Sequence, residues 1–140
     1  MLEPEISSKN FNHHSNEVLE KIRDSLESLN FKVEKRKKKK EKRKKKKEKR
    51  KNRIPVPFGR NGKPAKSFAV DAFHEESKTV LDVETGRGVM NNQFLKDFFE
   101  ACVMSYIDYL ILAIRKDYKN NKDFETVSTF FDTLYAQVDV

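Results

Sequence analysis

The chain has 140 residues, of which 36% are hydrophobic and 37% are charged, and its formal net charge is +8. This length suits one domain with a small core. No run approaches the roughly 18 apolar residues of a membrane-spanning helix, the acidic N-terminus is unlike a secretory signal, and one cysteine excludes an internal disulfide. We therefore expect an intracellular protein without a membrane partner, either cytoplasmic or nucleoid-associated.

The positive charge is concentrated in residues 35–51. This tract holds fifteen Lys or Arg and two Glu, a local charge of +13, whereas the other residues hold fifteen basic and twenty acidic side chains, a charge of −5. The tract repeats the heptad EKRKKKK from Glu34 but offers no apolar positions to a coiled coil. Because nothing in it can be buried, we expect residues 35–53 to form a disordered loop. The loop interrupts a single domain over residues 15–140, which follows a flexible N-terminus over residues 1–14.

The first half of the chain predicts a helix followed by three strands. Apolar residues recur at helical spacing after Ser15, and Asn30 is a plausible end for that helix. Residues 31–34 alternate as a short strand, and residues 54–58, with two prolines, re-enter in an extended form. Residues 67–74 and 79–85 then form two strands, and the four residues between them are the length of a hairpin turn.

The second half predicts a helix, a strand and a last helix. The helix begins at Asn91 or Asn92, and its wide apolar face, which includes Phe99, Val103 and Tyr106, predicts burial against a sheet. Residues 107–114 are nearly all apolar, which is typical of a central strand covered on both faces. The last amphipathic helix begins at Asp123. The order αβββαβα predicts an α/β sandwich with a mixed sheet.

The predicted hairpin brings carboxylates together. If its tip is centred on Glu76 and Ser77, Asp71 faces Asp82, and Glu84 lies on the same side of the sheet because side chains alternate. Like charges this close are costly unless a proton or a cation relieves them. Oxygen ligands of this kind suit Mg²⁺ or Mn²⁺.

These residues resemble the active-site motif of the PD-(D/E)XK phosphodiesterases, the restriction-endonuclease-like proteins. Asp71 matches the first acid, Asp82 matches the acid of the second strand, and Glu84 occupies the usual lysine position, as in the BamHI-like branch. The predicted order over residues 15–136 is similar to the core of that family. The resemblance implies a three-layer α/β/α sandwich and a magnesium-dependent endodeoxyribonuclease, or a degenerate relative that keeps the ligands without turnover.

The resemblance also implies roles for single residues. Asp71 and Asp82 would hold the metal ion, and Glu84 would accept a proton from the attacking water or hold a second ion. Because no lysine follows Asp82 at the motif spacing, Lys96 on the next helix is the candidate replacement, with an ordinary surface lysine as the alternative. Arg87, between two glycines, is a candidate for phosphate contact or for simple solvation.

The basic tract leaves two interpretations open. Its cations would bind phosphates without sequence preference, in DNA or alternatively RNA, through residues such as Lys37, Arg43, Lys45 and Arg50. The perfect repetition equally indicates a low-complexity expansion. The alternative to a nuclease is therefore a non-catalytic nucleic-acid-binding protein that acts through this tract. A protein-interaction domain with merely surface acids is a third possibility, and a homodimer is an open option.

Overall fold

The computed structural model describes residues 14–34, 53–55, 67–86, 89 and 91–138. Within them the α/β class is confirmed, in roughly the predicted order. The elements are α1 Ser15–Ser28, β1 Lys32–Val33, β2 Arg53–Pro55, β3 Ser67–Ala69, β4 Ala72–His74, β5 Thr79–Glu84, α2 Gln93–Val103, β6 Tyr109–Ile114 and α3 Asp123–Val138. The whole basic tract, residues 35–51, and the N-terminal residues 1–13 lie outside the described residues, and so do the predictions made for them. None of the described helices is both long enough and apolar enough to cross a membrane.

The main sheet has four strands in the order β1-β4-β5-β6. The β1–β4 and β4–β5 pairs are antiparallel and the β5–β6 pair is parallel, so the sheet is mixed as predicted. In the hairpin, Ala72 pairs with Leu81 and His74 with Thr79. This register places the next residues outward, Asp71 and Asp82, opposite each other, which confirms the predicted centre of the turn.

The predicted strand over residues 67–74 is broken into two strands, which is a correction. β3 pairs with β2 in a separate two-stranded sheet, and β4 joins the main sheet. The break falls at Val70 and Asp71, where side-chain hydrogen bonds join Asp71 to β5 in place of the backbone ladder, while the Asp71 carbonyl still accepts from the Glu34 N–H at 2.8 Å. The Asp71 N–H donates to Oδ1 of Asp82 at 3.1 Å, and Oδ2 of Asp71 accepts from the Val83 N–H at 3.0 Å.

Two hydrophobic clusters show that helices cover both faces of the main sheet. On one face, Leu19 and Leu26 of α1 pack with Leu81 and Val83 of β5. On the other face, Ala101 of α2 belongs to the cluster that contains Val80 of β5. Since side chains alternate along a strand, Asp82 and Glu84 share the α2 face with Val80.

The prediction that residues 107–114 form a central strand is wrong. β6 is the edge strand of the four-stranded sheet, and β5 lies between β4 and β6. The side chains of Tyr109 and Ile111 are exposed, at 64% and 43%. The apolar run was misleading because Tyr109 and Ile111, on the α1 face of β6, are open to solvent, although Ala113 on that face packs against the α1 cluster.

The buried face of α2 is narrower than predicted. Phe94, Asp97 and Ala101 are buried, whereas Phe99 and Val103, on the flanks, are exposed. The helix begins after Asn92, one of its two predicted start residues, and ends at Val103, before Tyr106. Instead, α2 makes edge-on aromatic contacts with α3, through Phe94 and Phe98 against Phe131 and through Phe94 against Phe130.

Candidate acidic site

Asp71 and Asp82 lie side by side where the β4–β5 hairpin opens. Asp71 is 7% exposed, and each of the two carboxylates accepts a backbone hydrogen bond, from Val83 and Asp71 respectively. These bonds hold both side chains against the end of the hairpin. The two acids therefore have a structural role that the sequence did not predict, besides any role in binding a ligand.

The course of α2 brings further acids to the same face. Ala101 packs in the cluster of Val80, and Asp97 lies one turn earlier on the same buried stripe. Because α2 runs opposite to β5, that earlier turn lies beside the later residues of the strand. Asp97 consequently approaches Glu84, and Glu100 is close enough for its charge to act on Asp82.

Burial and mutual repulsion raise the pKa of the carboxyl groups of Asp82, Glu84 and Asp97. Desolvation is the largest cause for Asp82, followed by the charges of Asp71, Asp97 and Glu100, and its pKa rises to about 7 despite the hydrogen bond from the Asp71 N–H. For Glu84, desolvation is again first, and its contact with Asp97 and the nearby charges raise its pKa to about 7. With all of its carboxyl groups ionised, the site would place repelling negative charges in a partly desolvated region, which is unfavourable at neutral pH.

Asp97 is the member of this site that the sequence did not reveal. Asp97 is 8% exposed, and its Oδ1 accepts a hydrogen bond from Nε2 of Gln93 at 3.1 Å. Burial raises the pKa of its carboxyl group. The available signal was an acid on the otherwise apolar inward stripe of this helix, between Phe94 and Ala101. That signal was obscured because the three phenylalanines of this helix made its face look wide and wholly hydrophobic.

Of the other predicted site residues, Lys96 lies in the described part of the chain and the rest do not. Lys96 lies next to Asp97 on α2, its side chain is 63% exposed, and its Nζ is 3.5 Å from Oε1 of Glu100. Its positive charge lowers the pKa of Asp97, so it acts on the site without being buried in it. The predicted nucleic-acid contacts all lie outside the described residues: Arg87, Lys37, Arg43, Lys45 and Arg50.

The carboxylate oxygens of the acidic site are potential ligands for a divalent cation. Within the described part of the chain, no group of three or more His, Cys, Asp or Glu side chains is arranged to hold a metal ion. The chemistry nevertheless fits, because the site consists of carboxylate oxygens and the buried Oδ2 of Asp97 accepts no hydrogen bond from any described residue. A bound cation would offset the repulsion that helps to raise these pKa values.

An apolar groove lies elsewhere on the α2 face of the sheet. It has a volume of about 670 Å³ and is bounded by α2, β6 and α3, with Leu110, Leu112 and Val127 among its lining residues. None of Asp71, Asp82, Glu84 and Asp97 lines it. The concave apolar surface and the acidic site are therefore separate features.

Protein-family models, curated proteins and solved structures were compared with this chain, and none of them matches it.

Proposed function

We propose that this chain is a metal-dependent nuclease with a restriction-endonuclease-like three-layer α/β/α domain, which hydrolyses phosphodiester bonds in DNA. One observation carries the proposal. Asp82, Glu84 and Asp97 lie near one another on a half-buried face, and burial raises the pKa of all three. Among the described residues, the lysine whose charge acts on this group, Lys96, is exposed and paired with Glu100. Such a site suits a divalent cation better than it suits solvent.

Each acid has a distinct role in this proposal. Asp71 and Asp82 would hold Mg²⁺ or Mn²⁺ with the oxygens that their backbone hydrogen bonds leave available. When bound, the ion polarises the scissile phosphate and lowers the pKa of the attacking water. Glu84 either accepts the proton of that water, for which a pKa of about 7 is suitable, or holds a second ion.

Lys96 is placed to support this chemistry from the edge of the site. Its exposed ammonium can move away from Glu100, since an exposed ion pair of this kind is worth little. A polyanion that enters the site would then meet a cation beside Asp97. This supports Lys96 as the replacement for the motif lysine, with a role in contacting the phosphate.

The test is cleavage of supercoiled plasmid and of a labelled duplex by the full chain. We expect nicking that requires Mg²⁺ or Mn²⁺ and falls at least a hundredfold in Asp82→Asn and in Glu84→Gln. Asp82→Asn is informative because the amide oxygen can still accept from the Asp71 N–H. Glu76→Gln, on the exposed hairpin turn, is the control that should keep full activity. Absence of cleavage, or cleavage that both site variants retain, would refute the proposal.

A second candidate function rests on the basic tract. A local charge of +13 in residues 35–51 favours binding of nucleic acid without catalysis. In that case the chain would bind DNA or RNA without a divalent cation, and neither the wild type nor the Asp82→Asn variant would cleave it.

A further inference from the structure

Asp97 combines deep burial with an incomplete set of hydrogen bonds. The residue is 8% exposed, and Oδ1 accepts from Nε2 of Gln93 at 3.1 Å. Oδ2 is buried and accepts no hydrogen bond from the residues that the structure describes. A buried acceptor without a donor is uncommon in folded proteins and is unfavourable, so water or a cation is expected to complete the bonding of this oxygen.

The surroundings of this oxygen narrow the choice of ligand. The carboxyl group of Glu84 lies within hydrogen-bond reach of the carboxyl group of Asp97. The charge of Lys96 reaches Asp97, but the side chain is 63% exposed and its Nζ lies 3.5 Å from Glu100. Two carboxylates that face each other in a partly desolvated place favour a small cation over an anion or a neutral molecule.

We propose that Glu84 and Asp97 together bind a divalent cation, with the unpartnered Oδ2 of Asp97 as a ligand. The inference rests on the proposed function, because it assigns the second of the two roles left open for Glu84. The ion would be Mg²⁺ or Mn²⁺, since these ions take oxygen ligands and commonly bind one or two carboxylates together with water and a substrate phosphate. Because no group of three such side chains surrounds a common point in the described part of the chain, water and a substrate phosphate would complete the coordination.

Gln93 acts as the positioning residue of this pair. It lies one turn before Asp97 on α2, and its amide N–H fixes one oxygen of the carboxylate. The other oxygen, Oδ2, is left without a donor among the described residues. Residues that orient ligands in this way are typical neighbours of metal ligands.

The first experiment measures Mn²⁺ binding to the full chain by calorimetry, without nucleic acid. We expect the Asp97→Asn variant to lose one bound ion, or to bind at least tenfold more weakly than the wild type. Asp24→Asn, the same change at an exposed position of α1, should bind like the wild type. Gln93→Ala should weaken binding less than Asp97→Asn does, because it removes only the orienting bond.

A second measurement uses the wild type alone and does not depend on the folding of a variant. The chain has two glutamines, Gln93 and Gln137, and the second lies exposed on α3. In a Mg²⁺ titration followed by NMR, the side-chain amide signals of Gln93 should shift with the midpoint found by calorimetry, and those of Gln137 should stay in place.

The outcomes separate this inference from the proposed function. If the wild type binds Mn²⁺ and Asp97→Asn binds it equally well, or if the Gln93 amide does not respond, the Glu84–Asp97 position is refuted and the nuclease proposal stands. If the wild type binds neither Mn²⁺ nor Mg²⁺, both are refuted together.

Discussion

At the scale of single residues, the carboxyl groups of the acidic site link its chemistry to stability. A group whose pKa is higher in the folded state than in the unfolded state binds more protons when folded. Stability therefore falls as the pH rises from the unfolded pKa, about 4 for an acid, through the folded pKa. For Asp82 and Glu84 the folded pKa is about 7, so the loss falls between about pH 4 and pH 7.

We predict that the metal-free protein is less stable at pH 8 than at pH 5, and that Asp82→Asn removes part of this difference. The loss attributed to Asp82 is up to about 2 kcal/mol, reduced from the full linkage value because the group retains some contact with water. Urea unfolding of both proteins at the two pH values measures it. The exposed Glu76→Gln variant should show the same change in the free energy of unfolding between the two pH values as the wild type. An equal change in all three proteins would contradict the assignment of raised pKa values.

The hydrogen bond from Val83 to Asp71 gives a second prediction at this scale. Asp71→Ala leaves the Val83 N–H without its acceptor and should lower the free energy of unfolding by about 1–3 kcal/mol. Asp71→Asn keeps an oxygen that can accept this bond and should cost less. Denaturant unfolding distinguishes the two. If the alanine variant is as stable as the asparagine variant, Asp71 does not hold the hairpin, and its burial must have another cause.

The site also shows how far single residues could be predicted from the sequence. The pairing of Asp71 with Asp82 followed from counting outward from the turn, since register is a local property of a hairpin. Asp97 could not be found in this way, because its position depends on how α2 crosses the sheet. Its lone charge on the buried stripe was the available hint.

At the scale of elements, packing decided which predictions held. α1 was predicted correctly because its apolar spacing is regular and its Leu19 and Leu26 meet the sheet. β6 was misplaced because an apolar run shows neither how many strands pair with it nor whether both of its faces are covered. The strand over residues 67–74 was split because the side chain of Asp71 competes with the backbone for hydrogen bonds, and propensity alone does not show this.

The packing of α1 on the sheet can be tested with a matched pair of substitutions. Leu19 is 1% exposed within the core cluster, whereas Leu29, just after the helix, is 63% exposed. Leu19→Ala should lower the free energy of unfolding by about 2–5 kcal/mol, because it removes buried methyl groups and leaves a cavity. Leu29→Ala should change it by less than about 0.5 kcal/mol. Similar losses in both variants would show that α1 does not dock through Leu19.

At the scale of the whole molecule, charge is divided between two parts of opposite sign. Residues 35–51 carry +13, and all the others together carry −5. The acidic site lies in the negative part, and without a cation it would repel a polyanion. The basic tract offers the attraction that the site lacks, so in the proposed nuclease the two parts have complementary tasks, one for holding nucleic acid and one for chemistry.

If the basic tract binds nucleic acid and the acidic site cleaves it, substitutions in the tract should change affinity and substitutions in the site should change cleavage. Affinity for duplex DNA should fall by about 10³-fold or more between 50 and 200 mM salt, as expected when several phosphates are neutralised. Replacing every Lys and Arg in residues 35–51 with Gln keeps the length of the segment and should abolish most of that affinity and its salt dependence. Asp82→Asn should leave both unchanged. Fluorescence anisotropy with a labelled duplex measures the affinities.

The cleavage assay supplies the other half of this test. If the tract only concentrates DNA at the site, neutralising it should raise the KM for DNA and leave kcat close to that of the wild type, because the carboxylates are untouched. A loss of kcat in the neutralised variant would mean that the tract contributes directly to the chemistry. Salt-independent binding, or binding that survives neutralisation, would instead move the nucleic-acid contact from the tract to the folded part of the chain.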